Sequence, residues 1–148
     1  MRVPTTLMLA LLVGACAMKP IPMSTLEENA AGKQFTPPAP GLTALYVFRE
    51  TGGGPNYTIS AGERTLGVLA GHDWLRVELP PATYAMHCAA SKYSDLVSTR
   101  YVVLKPDAIR YLSVTLWETG LSCRVVPQDA DFDGSILRGS RIQELPAN

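Results

Sequence analysis

The clearest alternation of hydrophobic and polar positions lies in residues 74–79, where Leu75, Val77 and Leu79 are separated by charged side chains. An alternation of period two predicts a strand with one face in a core and the other in water. Short runs of Val, Ile, Leu, Thr and Tyr recur along the chain, separated by Gly, Pro or Asp. They predict strands at residues 42–49, 57–61, 65–69, 74–79, 84–89, 96–104, 109–117 and 122–127. This pattern is typical of a mainly β fold, and we predict a single antiparallel β-sandwich of about 7–8 strands.

Two connections predict hairpins. The sequence Lys-Pro-Asp-Ala at residues 105–108 is compact, and it predicts that the strands at 96–104 and 109–117 pair with each other. Residues 50–56 contain three consecutive glycines but no Lys followed by Ser or Thr, so they predict a hairpin loop and not a phosphate loop.

The N-terminus has the pattern of an export signal. Arg2 supplies a positive charge, and an apolar run follows at residues 7–13. A span across a bilayer needs roughly 20 apolar residues, so this run predicts a removable signal. The residues Val-Gly-Ala-Cys at 13–16 resemble the substrate of lipoprotein maturation, which predicts cleavage before Cys16 and lipidation of that cysteine. The alternative is an ordinary secretory signal with a chance cysteine.

Lipidation makes a membrane the first predicted partner. Multiple acyl chains, at roughly 0.8 kcal/mol per buried methylene, hold a protein on a bilayer essentially permanently. Ala17 follows the cysteine in place of the aspartate that resembles an inner-membrane retention signal. We therefore predict a location at the outer membrane, facing the periplasm.

Composition divides the chain into four parts. We predict a signal peptide at residues 1–15, a lipidated Pro-rich tether at 16–41, the β-sandwich at 42–128, and an acidic loop and tail at 129–148. Within the tether, the capping-box spacing from Ser24 to Glu27 predicts a short helix over residues 26–33, with an unstructured linker as the alternative. The 13 Lys and Arg balance the 13 Asp and Glu, so no basic excess indicates nucleic-acid binding.

Cys88 and Cys123 each lie in a predicted strand. Export places them in an oxidising compartment, which favours a disulfide between them. Two buried free thiols are the alternative. Neither cysteine has the paired spacing or the neighbouring histidines of a zinc site.

The sharpest local motif is acidic. Asp129, Asp131 and Asp133, followed by Gly134, have the alternating carboxylates and the sixth-position glycine of a calcium loop. The twelfth position is Ser140, where such a loop carries a bidentate Glu. These aspartates are the calcium candidate, the alternative is a solvated acidic loop, and we predict no cofactor.

No residues form a catalytic constellation. His87 precedes Cys88, but neighbouring residues of a strand point to opposite faces, and His72 lies far from both along the chain. We therefore predict that the protein is not an enzyme. Arg49, at the end of the first strand, is predicted to make a polar contact at the rim, with a surface ion pair as the alternative.

The aromatic residues, Trp74, Trp117 and six tyrosines, either fill the core or line a binding face. Their period-two placement favours the core.

Several segments carry a resemblance to a known family. They are residues 31–35, 44–49, 59–67, 79–84 and 108–112. Together they resemble a family of small bacterial lipoproteins known as domain of unknown function 2846. Residues 67–84 also look like transthyretin-like and carboxypeptidase-regulatory-like sandwiches, although Ala82 stands where such modules usually carry glycine. Both resemblances imply an antiparallel β-sandwich, and neither implies a catalytic residue.

The sequence thus predicts a membrane-anchored envelope lipoprotein that acts as a non-enzymatic structural or protein-binding module, with an envelope protein as its partner. A ligand- or calcium-binding module and an accessory lipoprotein of a secretion machine are the alternatives.

Overall fold

The computed structural model describes residues 20–91, 95–127 and 133–147. Within these ranges the elements, in chain order, are α1 (Leu26–Gly32), β1 (Thr43–Arg49), β2 (Tyr57–Ala61), β3 (Arg64–Leu69), β4 (Asp73–Leu79), β5 (Thr83–Ala90), β6 (Val97–Val103), β7 (Ala108–Trp117), β8 (Gly120–Val126), α2 (Asp133–Arg138) and β9 (Ser140–Arg141). The strands form a five-stranded sheet in the order β8-β7-β1-β4-β9 and a four-stranded sheet in the order β3-β2-β5-β6. The prediction of a mainly β sandwich is confirmed.

Most neighbouring strands are antiparallel, but β1 and β7 run parallel, as do β4 and β9. The five-stranded sheet is therefore mixed, in contrast to the predicted antiparallel pairing throughout. Parallel neighbours need a long crossover between them. Residues 50–107, which include the whole four-stranded sheet, provide that crossover between β1 and β7.

The hairpin predicted across residues 105–108 is wrong. β6 pairs with β5, whereas β7 pairs with β1 and β8 in the other sheet. The chain changes sheets within this connection, because Leu104 N–H donates to Ala82 O at 2.9 Å and Asp107 N–H donates to Leu42 O at 2.7 Å. The hairpin predicted at residues 50–56 is wrong for the same reason, since β1 and β2 belong to different sheets.

The main core lies between the two sheets and contains apolar side chains from both, among them Leu45, Ile59 and Leu75. A second apolar cluster lies on the outer face of the five-stranded sheet and includes Tyr46 and Trp74. β1 contributes to both clusters, and all of its residues are buried. A strand buried on both faces shows no alternation in its sequence.

A disulfide between Cys88 of β5 and Cys123 of β8 connects the two sheets, with 6.1 Å between the Cα atoms. This confirms the predicted pairing. By the chain-entropy model, closing a loop between cysteines 35 residues apart contributes about 3–4 kcal/mol to stability.

The segments before β1 and after α2 meet beside β4. Ile142 N–H donates to Trp74 O at 2.9 Å, Ser24 N–H donates to Arg141 O at 3.0 Å, and Gln143 N–H donates to Pro22 O at 2.8 Å. The described parts of the predicted tether and of the predicted tail therefore lie against the sandwich and against each other.

α1 begins at Leu26, the predicted first residue, but its capping box joins Thr25 to Glu28 and not Ser24 to Glu27. Thr25 caps the helix, its hydroxyl accepting from Glu28 N–H at 3.1 Å, while the Glu28 carboxylate accepts from Thr25 N–H at 2.8 Å. α2 and β9 have no counterpart among the predicted elements. No helix in the described residues is both long enough and apolar enough to cross a membrane.

Candidate interaction surface

The two outer faces of the sandwich differ in what covers them. Over the five-stranded sheet, the ring of Phe35 lies 5.3 Å from that of Tyr46 and 6.3 Å from that of Tyr111. The Tyr46 hydroxyl donates to Gly32 O at 2.9 Å, and Ile136 of α2 is buried in the same cluster. This face is closed by the segment that follows α1 and by α2.

The aromatic residues of the covered face are part of the packed interior. Tyr46 stacks on Trp74 at 5.9 Å, and the guanidinium of Arg76 lies 5.7 Å from the centroid of the Tyr46 ring. Burial raises the pKa of the Tyr46 hydroxyl, because the charged phenolate would lose its solvation there. The prediction of a core position is confirmed for Tyr46 and Trp74, whereas Trp117 is 58% exposed.

No described residue covers β6 on the outer face of the four-stranded sheet. The exposed fractions are 73% for Tyr101, 58% for Val103 and 52% for Val97, and Thr99 between them is also exposed. His87 of the neighbouring β5 lies beside Thr99, with 2.8 Å between His87 Nδ1 and Thr99 Oγ1. We call these five residues the β6 surface.

The outer face continues from the β6 surface across β5 and β2 without an acidic or basic side chain other than His87. The remaining outward residues of these two strands are Thr58, Ser60, Thr83, Ala85 and Ala89. The large exposed apolar side chains of this face are thus confined to β6.

β6 is also an edge strand, because β5 is its only partner in the described residues. Ala90 N–H donates to Leu96 O at 3.0 Å, and Leu104 N–H donates to Ala82 O at 2.9 Å. In an antiparallel ladder, every second residue of a strand hydrogen-bonds to its partner strand. These two bonds show that the even-numbered residues of β6 are the ones that bond to β5. The backbone groups of the odd-numbered residues 97, 99, 101 and 103 therefore point away from β5, and no described residue pairs with them.

The prediction for Arg49 is wrong, because the side chain is 1% exposed and lies inside the fold. Its guanidinium lies 4.4 Å from the centroid of the Tyr57 ring and donates to Pro55 O at 3.1 Å and to Gly53 O. Burial lowers the pKa of this guanidinium. Arg49 organises the loop between the sheets and is not available to a partner at the rim.

A cavity of about 360 Å³ lies beside β3, the other edge strand of the four-stranded sheet, and near the first described residue. Pro20, Ile21, Val68 and Leu145 supply its apolar lining. The volume is at the small end of the range that ligand pockets occupy.

Several of the predicted site residues lie outside the described part of the chain. This holds for Cys16, Asp129 and Asp131, and for the side chain of Asp133, so lipidation and calcium binding stay predictions. Gly134 lies in α2, and Ser140 lies in β9. The described residues contain no group of three or more His, Cys, Asp or Glu side chains placed to hold a metal ion.

The predicted histidines are separate from each other and from any nucleophile. His87 lies on the outer face, whereas Cys88 is buried in the core and joined to Cys123. His72 lies in the turn before β4, close to Gly52. The β6 surface could not be predicted from the sequence, because Val, Thr and Tyr occur on buried strand faces as well as on open ones.

Fold and surface together define a small disulfide-linked β-sandwich with one open, uncharged face. No family model matches the chain, and no curated protein matches it. The chain is similar to a solved structure, the N-terminal domain of AlgF from P. aeruginosa, at 20% sequence identity and a TM-score of 0.38. The match covers 61% of this chain and 100% of that domain. A likeness of this size supports no conclusion about function, and the family resemblance of the sequence stays a prediction.

Proposed function

We propose that this chain is a non-enzymatic lipoprotein of the bacterial cell envelope, anchored through Cys16, that binds an envelope protein through the β6 surface. The observation that carries the proposal is the contrast between the two outer faces. Aromatic rings and helices close the face of the five-stranded sheet, whereas Tyr101, Val103 and Val97 are open to solvent.

The chemistry of the β6 surface supports a protein as its partner. Burying a valine or similar apolar side chain contributes about 1.5–3 kcal/mol, so several such side chains can drive association. Edge strands that stay unpaired usually carry charged side chains, Pro or a bulge that prevents pairing. β6 has no proline and no bulge, and Arg100 is its single charged residue.

The arrangement of the N-terminal segment supports an anchor close to the fold. Pro22 and Ser24 are hydrogen-bonded to the strand region at 141–143. Cys16 precedes Pro20, the first described residue, by four positions, and four extended residues reach at most about 14 Å. A lipid on Cys16 would therefore hold the sandwich near the bilayer, where envelope proteins are concentrated.

The anchor is tested with the full chain expressed in a bacterium that matures lipoproteins. We expect the mass of the membrane-extracted protein to correspond to a chain that begins at Cys16 and carries diacylglycerol and an amide-linked acyl chain. Cys16→Ser should abolish the added mass and move the protein to the aqueous fraction. An unlipidated parent chain in the aqueous fraction would contradict the proposal.

The binding surface is tested by site-specific photo-crosslinking in intact cells. A photoreactive phenylalanine analogue at Tyr101 should give a discrete crosslinked product. The matched control is the same analogue at Leu137 of α2, which is 51% exposed but lies outside the β6 surface. A product at Leu137 and none at Tyr101 would show that the protein binds elsewhere.

A second candidate function, binding of a small apolar ligand, is favoured by the cavity beside Pro20, Ile21 and Val68. An environment-sensitive apolar dye should then gain fluorescence with the parent chain and lose it with Val68→Asp. Val97→Asp places the same charge on β6 and is the control. Equal fluorescence with both variants would exclude the cavity as the binding site.

A further inference from the structure

We propose that the protein bound by the β6 surface is a second copy of this chain, joined by antiparallel pairing of β6 with β6 about a two-fold axis at Tyr101. The inference rests on the proposed function, since it names the partner of the surface identified there. The result is a continuous sheet of eight strands that extends through both copies.

The backbone of β6 offers what a second strand needs. The N–H and C=O groups of Val97, Thr99, Tyr101 and Val103 point away from β5, and β6 carries no proline. In an antiparallel pair, residues that exchange two hydrogen bonds must both present these groups to the partner. A two-fold axis can therefore pair odd-numbered residues of one copy only with odd-numbered residues of the other.

Charge excludes one of the possible registers. An axis at Arg100 would place Arg100 directly opposite Arg100 of the other copy, and like charges opposite each other destabilise a sheet. An axis at Tyr101 places Arg100 opposite Val102 instead. It pairs Tyr101 with its counterpart and Thr99 with Val103 in both directions, which gives about six backbone hydrogen bonds from three residue pairs.

The side chains fit the same register. On the outer face, the two Tyr101 rings meet at the axis, with Val103 of each copy opposite Thr99 of the other. All three residues are exposed in the single chain, and aromatic and β-branched cross-strand pairs each contribute roughly 0.2–1 kcal/mol. Pairing thus buries the most exposed large side chain of the β6 surface, Tyr101.

A second copy is favoured over an unrelated strand by two further properties of the chain. The chain that begins at Cys16 lacks Arg2 and carries 12 basic and 13 acidic residues, so two copies repel each other little through net charge. About Tyr101 the same edge also supplies both halves of the contact, Thr99 and Val103 in each direction, as an isologous interface requires.

The test is disulfide trapping with single added cysteines in the full chain in intact cells. Residues paired by two hydrogen bonds have Cα atoms about 5.5 Å apart, within the range that a disulfide bridges. Tyr101→Cys should therefore give a reducible dimer. Thr99→Cys, on the same strand and face, is the matched control, because its counterpart would lie four residues along the strand, about 14 Å away. We expect about tenfold or more dimer with Tyr101→Cys than with Thr99→Cys, since the longer distance cannot be bridged.

The parent chain, without an added cysteine, distinguishes a missing lipid anchor from a missing β6 pairing. A reducible dimer of the parent would reveal a free Cys16 thiol, which contradicts the anchor and not the pairing. Equal trapping at Thr99 and Tyr101, or no trapping at either, would overturn the inference. A product at Tyr101 that contains a different protein would overturn it as well, while leaving the protein-binding role intact.

A proline variant provides a second measurement. Thr99→Pro removes an outward N–H that β5 does not use, so the sandwich should keep its circular dichroism spectrum. Light scattering of the detergent-solubilised protein should then give the mass of a monomer for Thr99→Pro and of a dimer for the parent. A parent chain that is monomeric at all accessible concentrations would refute the pairing.

Discussion

Arg49 combines a full positive charge with almost complete burial, and the loop after β1 supplies its partners. The carbonyl oxygens of Gly53 and Pro55 accept from its guanidinium, and the ring of Tyr57 lies beneath it. The three consecutive glycines make residues 52–54 an intrinsically flexible stretch, so its placement depends on this side chain. Sequence patterns indicate a charged residue at a strand end but not whether the next loop folds over it.

Arg49→Ala should lower the free energy of unfolding by about 2–4 kcal/mol, because it removes charge-assisted hydrogen bonds and leaves two carbonyl groups without their donor. Arg49→Lys should recover only part of this loss, since an ammonium cannot reproduce the planar fork of the guanidinium. Urea denaturation followed by circular dichroism measures both. Arg124→Ala is the control, because its ion pair with Glu50 is largely exposed and should change stability by less than about 1 kcal/mol. Equal losses in the Arg49 and Arg124 variants would contradict this account.

The stability of α1 should depend on pH through Glu28. The hydrogen bonds that the Glu28 carboxylate accepts from the Thr25 backbone and hydroxyl lower its pKa. A lowered pKa in the folded state means that the stabilisation of α1 is present above pH of about 4.5 and is lost as the pH falls through the folded pKa. Hydrogen exchange of the α1 amides should accelerate in that range relative to the amides of β1.

The matched comparison for α1 is Glu27→Ala against Glu28→Ala. Both residues lie in the first turn, but only Glu28 reaches back to Thr25. Glu28→Ala should increase exchange of the α1 amides and remove their acid response, whereas Glu27→Ala should retain that response. An acid response that survives Glu28→Ala would assign the effect to another group.

Strand positions proved predictable from the sequence, whereas strand partners did not. Both boundaries of each predicted strand lie within two residues of the observed ones. Alternation and the intervening Gly, Pro and Asp are local signals, which a sequence shows directly. Pairing depends on contacts between distant segments, and the compact connection at residues 105–108 leads to a change of sheet where a hairpin was predicted. The exposure of β6 could not be predicted either, since Val97, Tyr101 and Val103 are exposed but have the residue types of a core face.

Which face of the sandwich is covered is decided by segments outside the strands. Phe35 and Ile136 close one outer face, and neither belongs to a sheet. The sequence indicates that residues 16–41 are rich in proline but not that part of this stretch lies over Tyr46. The disulfide could be predicted from the sequence because only two cysteines follow Cys16 and each lies in a predicted strand.

The disulfide acts on the stability of the fold as a whole, since it connects β5 in one sheet to β8 in the other. Replacing Cys88 and Cys123 together with alanine should lower the free energy of unfolding by about 3–4 kcal/mol, chiefly because the unfolded chain regains its freedom. Urea denaturation measures the loss, and addition of a reductant should reproduce it in the parent but not in the double variant. Val97→Ala, at an exposed position of β6, should remain within about 0.5 kcal/mol of the parent.

The same variant should also have a local effect that distinguishes a bond between sheets from a general loss of stability. Cys123 N–H donates to Ser98 Oγ at 3.2 Å, and Ser98 is the register partner of Cys88, so the disulfide lies where β6 approaches β8. Without it, amide exchange at Cys123, now alanine, should increase more than exchange in the central pair of β1 and β4. If exchange instead rises uniformly, the disulfide changes only the global unfolding equilibrium, and the approach of β6 to β8 is maintained by packing of the side chains between them.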